Sequence, residues 1–301
     1  MENKENFVII DANSIIHRAF HALPPLKSKD GQVVNAVYGF LLVLFKLLKD
    51  LRPKYFVACF DLPKPTFRKK LFNDYKAQRK KAPDELYVQI PMVKDVLKIF
   101  NVPVFEKEGY EGDDLIGTLS FKIKDKNNIV VSGDKDNFQL INKNTKVYYL
   151  NQGVRSAVFY DEKMIKEKYN GLTPEQLIDY KGLRGDPSDN IPGVKGIGEK
   201  TGLNLIKDFG SIDNLYKQIE DGNDNLPNKL KEKLIEQKKE AYLSKVLSEI
   251  KKDVPLEINL KDCEWGGYET KKVLEMLKHF NFNSLIKNVD PDRTGENLRL
   301  W

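Results

Sequence analysis

The chain has 301 residues, 41% hydrophobic and 31% charged, with a net charge of +6. That is the composition of an ordinary soluble globular protein with room for one large core or two modest ones. No apolar run approaches the roughly 18 residues of a membrane span, and Phe7 to Ile10 is too short for the apolar region of a signal peptide. Cys59 and Cys263 lie far apart and outside any Cys-x-x-Cys pair, which excludes a disulfide framework or a zinc site of that kind and makes a reducing cytoplasm the expected compartment.

Phe7-Val-Ile-Ile10 is a short apolar run ending at Asp11. Helical periodicity runs from about Val37 through Leu51, and Tyr55 to Phe60 reads as a second buried strand ending at Asp61. Helical spacing returns from Val88 to Phe100, followed by a short strand over Val102 to Phe105 and a helix over Leu115 to Lys124. Ile129 to Val131 is another strand, leading to Asp134. Apolar strands alternating with helices predict an α/β domain over residues 1–170, with a mostly parallel sheet flanked by helices. From residue 171 to 288 the spacing predicts a helical domain. It holds the glycine-rich turn Gly193-Val-Lys-Gly-Ile-Gly198 and one long charged helix from about Asn228 to Leu247. A strand-like alternation from Val254 to Leu260 and a helix from Tyr268 to Phe280 follow. Residues 289–301 read as a polar tail.

Three of these four N-terminal strands end at or just before an aspartate: Asp11, Asp61, and the pair Asp134 and Asp136. One aspartate after a strand is an ordinary turn or cap residue. Three at equivalent positions stand beyond the carboxyl ends of the strands, where open parallel sheets bind ligands. Glu111-Gly-Asp113-Asp114 opens a helix with more acid than capping and the dipole need. Asp186-Pro-Ser-Asp189 adds two carboxylates in a turn. Clustered carboxylates repel, and hard divalent cations relieve that repulsion. His17, His21 and His279 are scattered relative to the set, so the pattern points to Mg²⁺ or Mn²⁺ rather than zinc. Nine ligands exceed one ion's need, and two ions about 4 Å apart are the arrangement for in-line phosphodiester cleavage.

From Lys64 to Lys81 eight cations (Lys64, Arg68, Lys69, Lys70, Lys76, Arg79, Lys80, Lys81) face one anion, Asp74; eight minus one is +7, more than the excess of the whole chain. A basic stripe confined to one segment is the footprint of a polyanion contact, against the plainer reading of a solvated helix face.

Phe7-Val-Ile-Ile-Asp-Ala-Asn13, Ala36-Val-Tyr-Gly-Phe40, Pro65-Thr-Phe-Arg68, Tyr75-Lys-Ala-Gln-Arg79, Gly109-Tyr-Glu-Gly-Asp-Asp114, Gly133-Asp-Lys-Asp136 and the run from Gly185 to Thr201 occur in unbroken order. Over roughly residues 6 to 288 they resemble the 5′-nuclease domain of bacterial DNA polymerase I, of the flap endonuclease family. The resemblance implies a PIN-like α/β domain followed by a helical domain with a helix-hairpin-helix-like motif. The family's acidic metal ligands fall on Asp11, Asp61, Glu111, Asp113, Asp114, Asp134, Asp136, Asp186 and Asp189, the same nine. The chain departs at Asn137, where leucine is commoner, and at Gly202, commonly alanine; neither is expected to touch the chemistry. The sequence ends at Trp301, so the resemblance implies either a free-standing bacterial 5′–3′ exonuclease or the first part of a polymerase.

The resemblance further implies an arch over about 64–95, through or beneath which single-stranded 5′ DNA passes. Lys76 and Arg79 are then the catalytic cations expected at the scissile phosphate. Arg68, Lys69, Lys70, Tyr75, Lys80 and Lys81 are expected DNA contacts. Phe67, Phe72 and Tyr75 place aromatics between them for stacking on unpaired bases, although Phe72 also fits packing inside the arch. Tyr38 fits either stacking on a terminal base or burial. Gly193, Lys195, Gly196, Gly198, Lys200 and Thr201 are expected to meet the backbone of duplex DNA, with K⁺ at the loop carbonyls.

The implied activity is 5′–3′ exonuclease and 5′-flap endonuclease cleavage with two Mg²⁺, Mn²⁺ substituting, in Okazaki-fragment primer removal and repair. Expected partners are DNA with 5′ ends, flaps or nicks, and RNA-primed DNA, with a polymerase and ligase alongside. A monomer in the cytoplasm near the nucleoid is expected, without a membrane. A PIN-type ribonuclease toxin shares the acidic groove but is far shorter and lacks the hairpin domain. A non-catalytic binder of branched DNA would lack ligands, and all nine are present.

Overall fold

The computed structural model describes residues 4–153 and 156–289; beyond Val289 the expected polar tail lies outside the described residues. Five strands run parallel: β1 (Asn6–Asp11), β2 (Tyr55–Cys59), β3 (Val104–Phe105), β4 (Asn127–Ser132) and β5 (Thr145–Gln152). β6 (Ser156–Tyr160) is antiparallel to β5, and the sheet order is β3-β2-β1-β4-β5-β6. β1, β2 and β4 are buried almost throughout because both faces are covered. Asp11 lies opposite Cys59, and Ile10 opposite Val131, so the central strands end level and their following residues meet at one edge.

One face of the sheet packs α1 (Ala12–Ala22), α2 (Asn35–Leu51) and α5 (Gln89–Ile99), after the short α3 (Phe67–Leu71) and α4 (Asp84–Tyr87). The other face packs α6 (Gly112–Lys122). After α7 (Glu162–Lys168), a separate core forms among α8 (Gln176–Arg184), α9 (Glu199–Phe209), α10 (Ile212–Glu220), α11 (Asn228–Glu236) and α12 (Lys238–Ser248). The chain then returns: Val273, Met276 and Leu277 of α13 (Thr270–His279) join the first sheet face. Each fully buried phenylalanine, such as Phe7, Phe56 and Phe138, stabilises this arrangement by about 1.5–3 kcal/mol.

The periodicity misses α1, α3, α4, α7, β5 and β6 and misreads two other segments. The long helix expected over 228–247 breaks at Gln237 (φ −111°, ψ 27°), whose Oε1 accepts the Lys195 N–H at 2.7 Å. The Val254 to Leu260 segment is no strand. It runs extended beside α6, where the Lys251 N–H meets Asp114 and the Val254 N–H meets Thr118 Oγ1. Its alternation arises because Val254, Leu256, Ile258 and Leu260 pack on the α6 core without pairing into the sheet. Gly117 permits the approach: a Cβ there would stand 2.6 Å from Ile250 Cγ2 and 2.7 Å from the Lys251 carbonyl oxygen.

Candidate active site

The level strand ends open into a cleft of about 590 Å³ lined by Asp11, Asp61, Glu111, Asp113, Asp134, Asp136 and Asp189. Asp11 ends β1 and caps α1: Oδ1 accepts the Ser14 N–H at 3.1 Å, and Oδ2 accepts the Ser132 hydroxyl at 2.6 Å. Asp61, just beyond β2, accepts the Gly112 N–H at 2.6 Å. Glu111 caps α6 in a reciprocal capping box with Asp114. Asp134 donates its N–H to Ser132 Oγ and accepts that of Asp136 at 2.9 Å.

Crowding and burial show in the proton affinities. Burial pushes the Asp11 carboxyl up to about 7 against its hydrogen bonds, with the charges of Asp61 and Asp134 adding. Burial, followed by Asp11 and Asp134, holds Asp113 well above the usual carboxylate range. Asp136 rises to about 7 through burial, with Lys181 opposing and Asp134 adding. Each of these acids is drawn toward its protonated form because burial strips the charge of water and neighbouring carboxylates repel it.

A second group is balanced by bases. Lys181 of α8 joins Asp136 to Asp186, the latter at 2.8 Å. Burial works against the Asp186 charge, but Lys181 and Ser188 hold its carboxyl down at about 2. Lys76 Nζ stands 2.9 Å from Glu111 Oε2 and 3.8 Å from Asp189 Oδ2, and Arg79 pairs with Asp189. The Lys76 N–H donates to the Asp189 carbonyl and Asn190 Nδ2 to that of Asp74, so the basic turn is fastened to the acidic loop. Lys76 is held at φ +56°, a conformation unfavourable for a residue with a side chain.

Several expected roles change. Arg68 is 3% exposed and cannot grip DNA: its guanidinium pairs with both oxygens of Asp114 at 2.8 Å and donates to the Leu247 and Glu249 carbonyls. Asp114 is fully buried, its oxygens already taken by Arg68 and by the Glu111 and Lys251 N–H groups, so it is not among the carboxylates that line the cleft. Tyr75 is buried too, its hydroxyl 3.2 Å from both Glu111 and Asp189, which removes it from base stacking. Phe72 packs beside it against Ile191 and Leu247. Tyr38 packs edge-on against Phe282 outside the cleft. Gly193 is buried and gives its N–H to Ser244 Oγ, so it offers nothing to a phosphate. Lys69 turns back on the Asn73 and Tyr75 carbonyls.

Lys70, Lys80, Lys81, Lys195, Gly196, Gly198 and Lys200 are exposed, with Thr201 half-buried. Two of the three histidines are not scattered: Asn13, His17 and His21, at i, i+4 and i+8 on α1, line the same cleft, while His279 stands apart beside Asp30. That spacing after Asp11 was the available signal, lost with α1 itself. Burial, then His21, pushes the His17 imidazolium below its usual value. Sequence reasoning also missed Lys181, and it misjudged Asn137, whose side chain contacts Asp113.

Among the described residues no three acidic, histidine or cysteine side chains already stand as a finished metal cage, and Lys76, Arg79 and Lys181 are inserted between the carboxylates. The donor set itself fits a hard divalent cation: oxygen ligands dominate, and the buried acids lack positive partners.

Residues 6–170 match the family model for the 5′-3′ exonuclease N-terminal resolvase-like domain, and residues 172–271 that for the 5′-3′ exonuclease C-terminal SAM fold. The 5′-3′ exonuclease of Aquifex aeolicus is 39% identical over 284 residues, covering 94% of each chain. DNA polymerase I of Bacillus subtilis is 42% identical over 299 residues, and this chain spans 33% of its length. Among solved structures, T5 5′-exonuclease with bound zinc has a TM-score of 0.67 at 18% identity, covering 95% of this chain and all of that one. A bacteriophage T5 flap endonuclease in a pseudo-enzyme-product complex with DNA and metal ions has a TM-score of 0.67 at 21% identity, covering 82% of this chain and 89% of that one. These two carry the fold. The extent and identity of the sequence matches place the chain in the 5′-3′ exonuclease family of DNA-hydrolysing nucleases.

Proposed function

We propose that the chain cuts DNA at 5′ ends and at the base of 5′ flaps, using two divalent cations, Mg²⁺ with Mn²⁺ as substitute. Asp11, Asp61, Glu111, Asp113, Asp134, Asp136, Asp186 and Asp189 would hold them. The observation that carries this reading is the convergence of seven carboxylates on one cleft, with Asp11, Asp113 and Asp136 driven toward protonation by burial and by the charge of neighbouring carboxylates. When bound, such ions supply an acidified water and a Lewis acid for the departing oxygen.

The chain's own residues do the rest. Lys76 and Arg79 rest on Glu111 and Asp189 inside the cleft, and an entering phosphate exchanges those partners for its own oxygens. Charge that grows on the phosphate during cleavage then meets two prepositioned cations. Lys70, Lys80 and Lys81, on the arch at 64–95, meet the backbone of the unpaired strand. The exposed turn Lys195 to Lys200 opens α9 and offers backbone N–H groups and lysines to a duplex, with K⁺ at its carbonyls. Contacts of this kind read the shape of the DNA and leave its sequence unread. RNA primers annealed to DNA are substrates as well, since no step uses the 2′-hydroxyl. Primer removal and repair beside a polymerase and a ligase in the cytoplasm suit such an enzyme.

The test offers purified protein a 5′-flap, a nicked duplex and the flap strand alone, each with Mg²⁺. Cutting confined to the two branched or nicked duplexes is expected. Equal cutting of the lone strand would contradict structure-specific action, and no cutting at all would contradict the nuclease assignment.

A further inference from the structure

Asn137 lies in the 3₁₀ turn Asp136–Leu140 and is fully buried. Its Nδ2 donates to Asp113 Oδ1 at 2.9 Å and to Ser132 Oγ at 3.3 Å. In the ionised form that binds a cation, a carboxylate only accepts, so this partner fixes which way round the amide stands. The amide oxygen then points away and, among the described residues, meets no donor. Ser132 Oγ in turn donates to Asp11 Oδ2 at 2.6 Å and accepts the Asp134 N–H at 2.8 Å. One side chain therefore reaches Asp113 of α6 directly, and Asp11 of β1 and the Asp134 turn through a single hydroxyl.

Packing does not explain an asparagine here. The surroundings are the apolar core under α6, with Phe138 and Leu140 as chain neighbours in it. A leucine of similar size would remove that donor-less buried oxygen, which destabilises the fold, and would leave Asp113 Oδ1, which is only half-buried, without its amide donor. What leucine lacks is the amide hydrogen pair.

We propose that Asn137 is a positioning residue for metal binding: it fixes the Asp113 carboxylate and, through Ser132, steadies Asp11 and the Asp134 turn, at the expense of fold stability. This rests on the reading of the cleft as a divalent-cation site. A carboxylate oriented by a fixed donor meets an incoming cation without first losing rotational freedom, and removal of such outer partners weakens metal binding about 10- to 100-fold.

The test compares wild type with Asn137→Leu by three measurements: melting temperature in EDTA, affinity of DNA-free protein for Mn²⁺ by electron paramagnetic resonance, and flap affinity in EDTA. Asn137→Leu is expected to melt no lower than wild type, to bind Mn²⁺ at least about tenfold more weakly, and to bind the flap equally well. Wild-type Mn²⁺ affinity in Asn137→Leu overturns the proposal, as does a loss of affinity matched by a lower melting temperature. Ser132→Ala provides a second variant, also expected to weaken Mn²⁺ binding; unchanged binding there counts against the relay. Wild-type protein that takes up no Mn²⁺ overturns the metal reading itself, whereas normal uptake by both variants overturns this inference alone.

Discussion

Asp11, Asp61, Asp113 and Asp134 make no ion pair among the described residues; their partners are hydroxyl, amide and backbone donors. Glu111, Asp186 and Asp189 each face a lysine or arginine, and Asp136 links the two groups through Lys181. The proton affinity is raised to about 7 at unpaired Asp11 and held at about 2 at paired Asp186, while Asp136, paired but deeply buried, also rises to about 7. Equal residue types thus have opposite needs. The first group gains from an added cation. The second is already balanced, and its bases come from the arch and α8, so those pairs tie the outlying elements to the cleft.

The largest effect should come from the unbalanced group. Asp134→Ala is expected to lower the rate of flap cleavage by at least about 10²- to 10³-fold while DNA affinity in EDTA is retained. Lys76→Ala is expected to slow the single-turnover chemical step about 10²-fold and to weaken binding less. A larger loss in binding than in chemistry would make Lys76 a tether.

Next comes the buried pair behind the cleft. Arg68→Met leaves Asp114 charged and unpaired, which should destabilise the fold by about 3–5 kcal/mol in chemical denaturation. Adding Asp114→Leu should recover most of that. A DNA affinity that falls with Arg68→Met and stays low in the pair would restore Arg68 to the DNA surface.

The smallest effect is a pH dependence. Asp11 and Asp136 keep their protons up to about 7 in the folded, metal-free chain, against the usual 3.8. Between those values the native state binds more protons than the unfolded state, so stability must fall as pH rises, then level off above about 7. Asp186 has the opposite sign: its contribution is present above 3.8 and is lost as pH falls toward about 2. Melting curves in EDTA across pH 4 to 8, repeated with saturating Mg²⁺, check this, and Mg²⁺ should abolish the decline.

The strands and the acids beyond their ends were legible because short apolar runs punctuated by aspartate are local signals. What each acid faces was not. Asp113 and Asp114 are adjacent on a helix and so point in directions about 100° apart; only the packing of the 247–251 segment decides that Asp113 meets the cleft and Asp114 meets Arg68. The same holds within the basic stripe, where Arg68 is buried while Lys70 and Lys80 are exposed. Counting its charges could not separate them. Lys181 escaped notice because its partners, Asp136 and Asp186, come from different domains of the chain.

Manganese anomalous scattering from a crystal grown with Mn²⁺ tests the central assignment most directly. Peaks should lie among Asp11, Asp61, Glu111, Asp113, Asp134, Asp136, Asp186 and Asp189, with none against Asp114. Peaks held by His17 and His21 with the carboxylates bare, or a peak on Asp114, would contradict it.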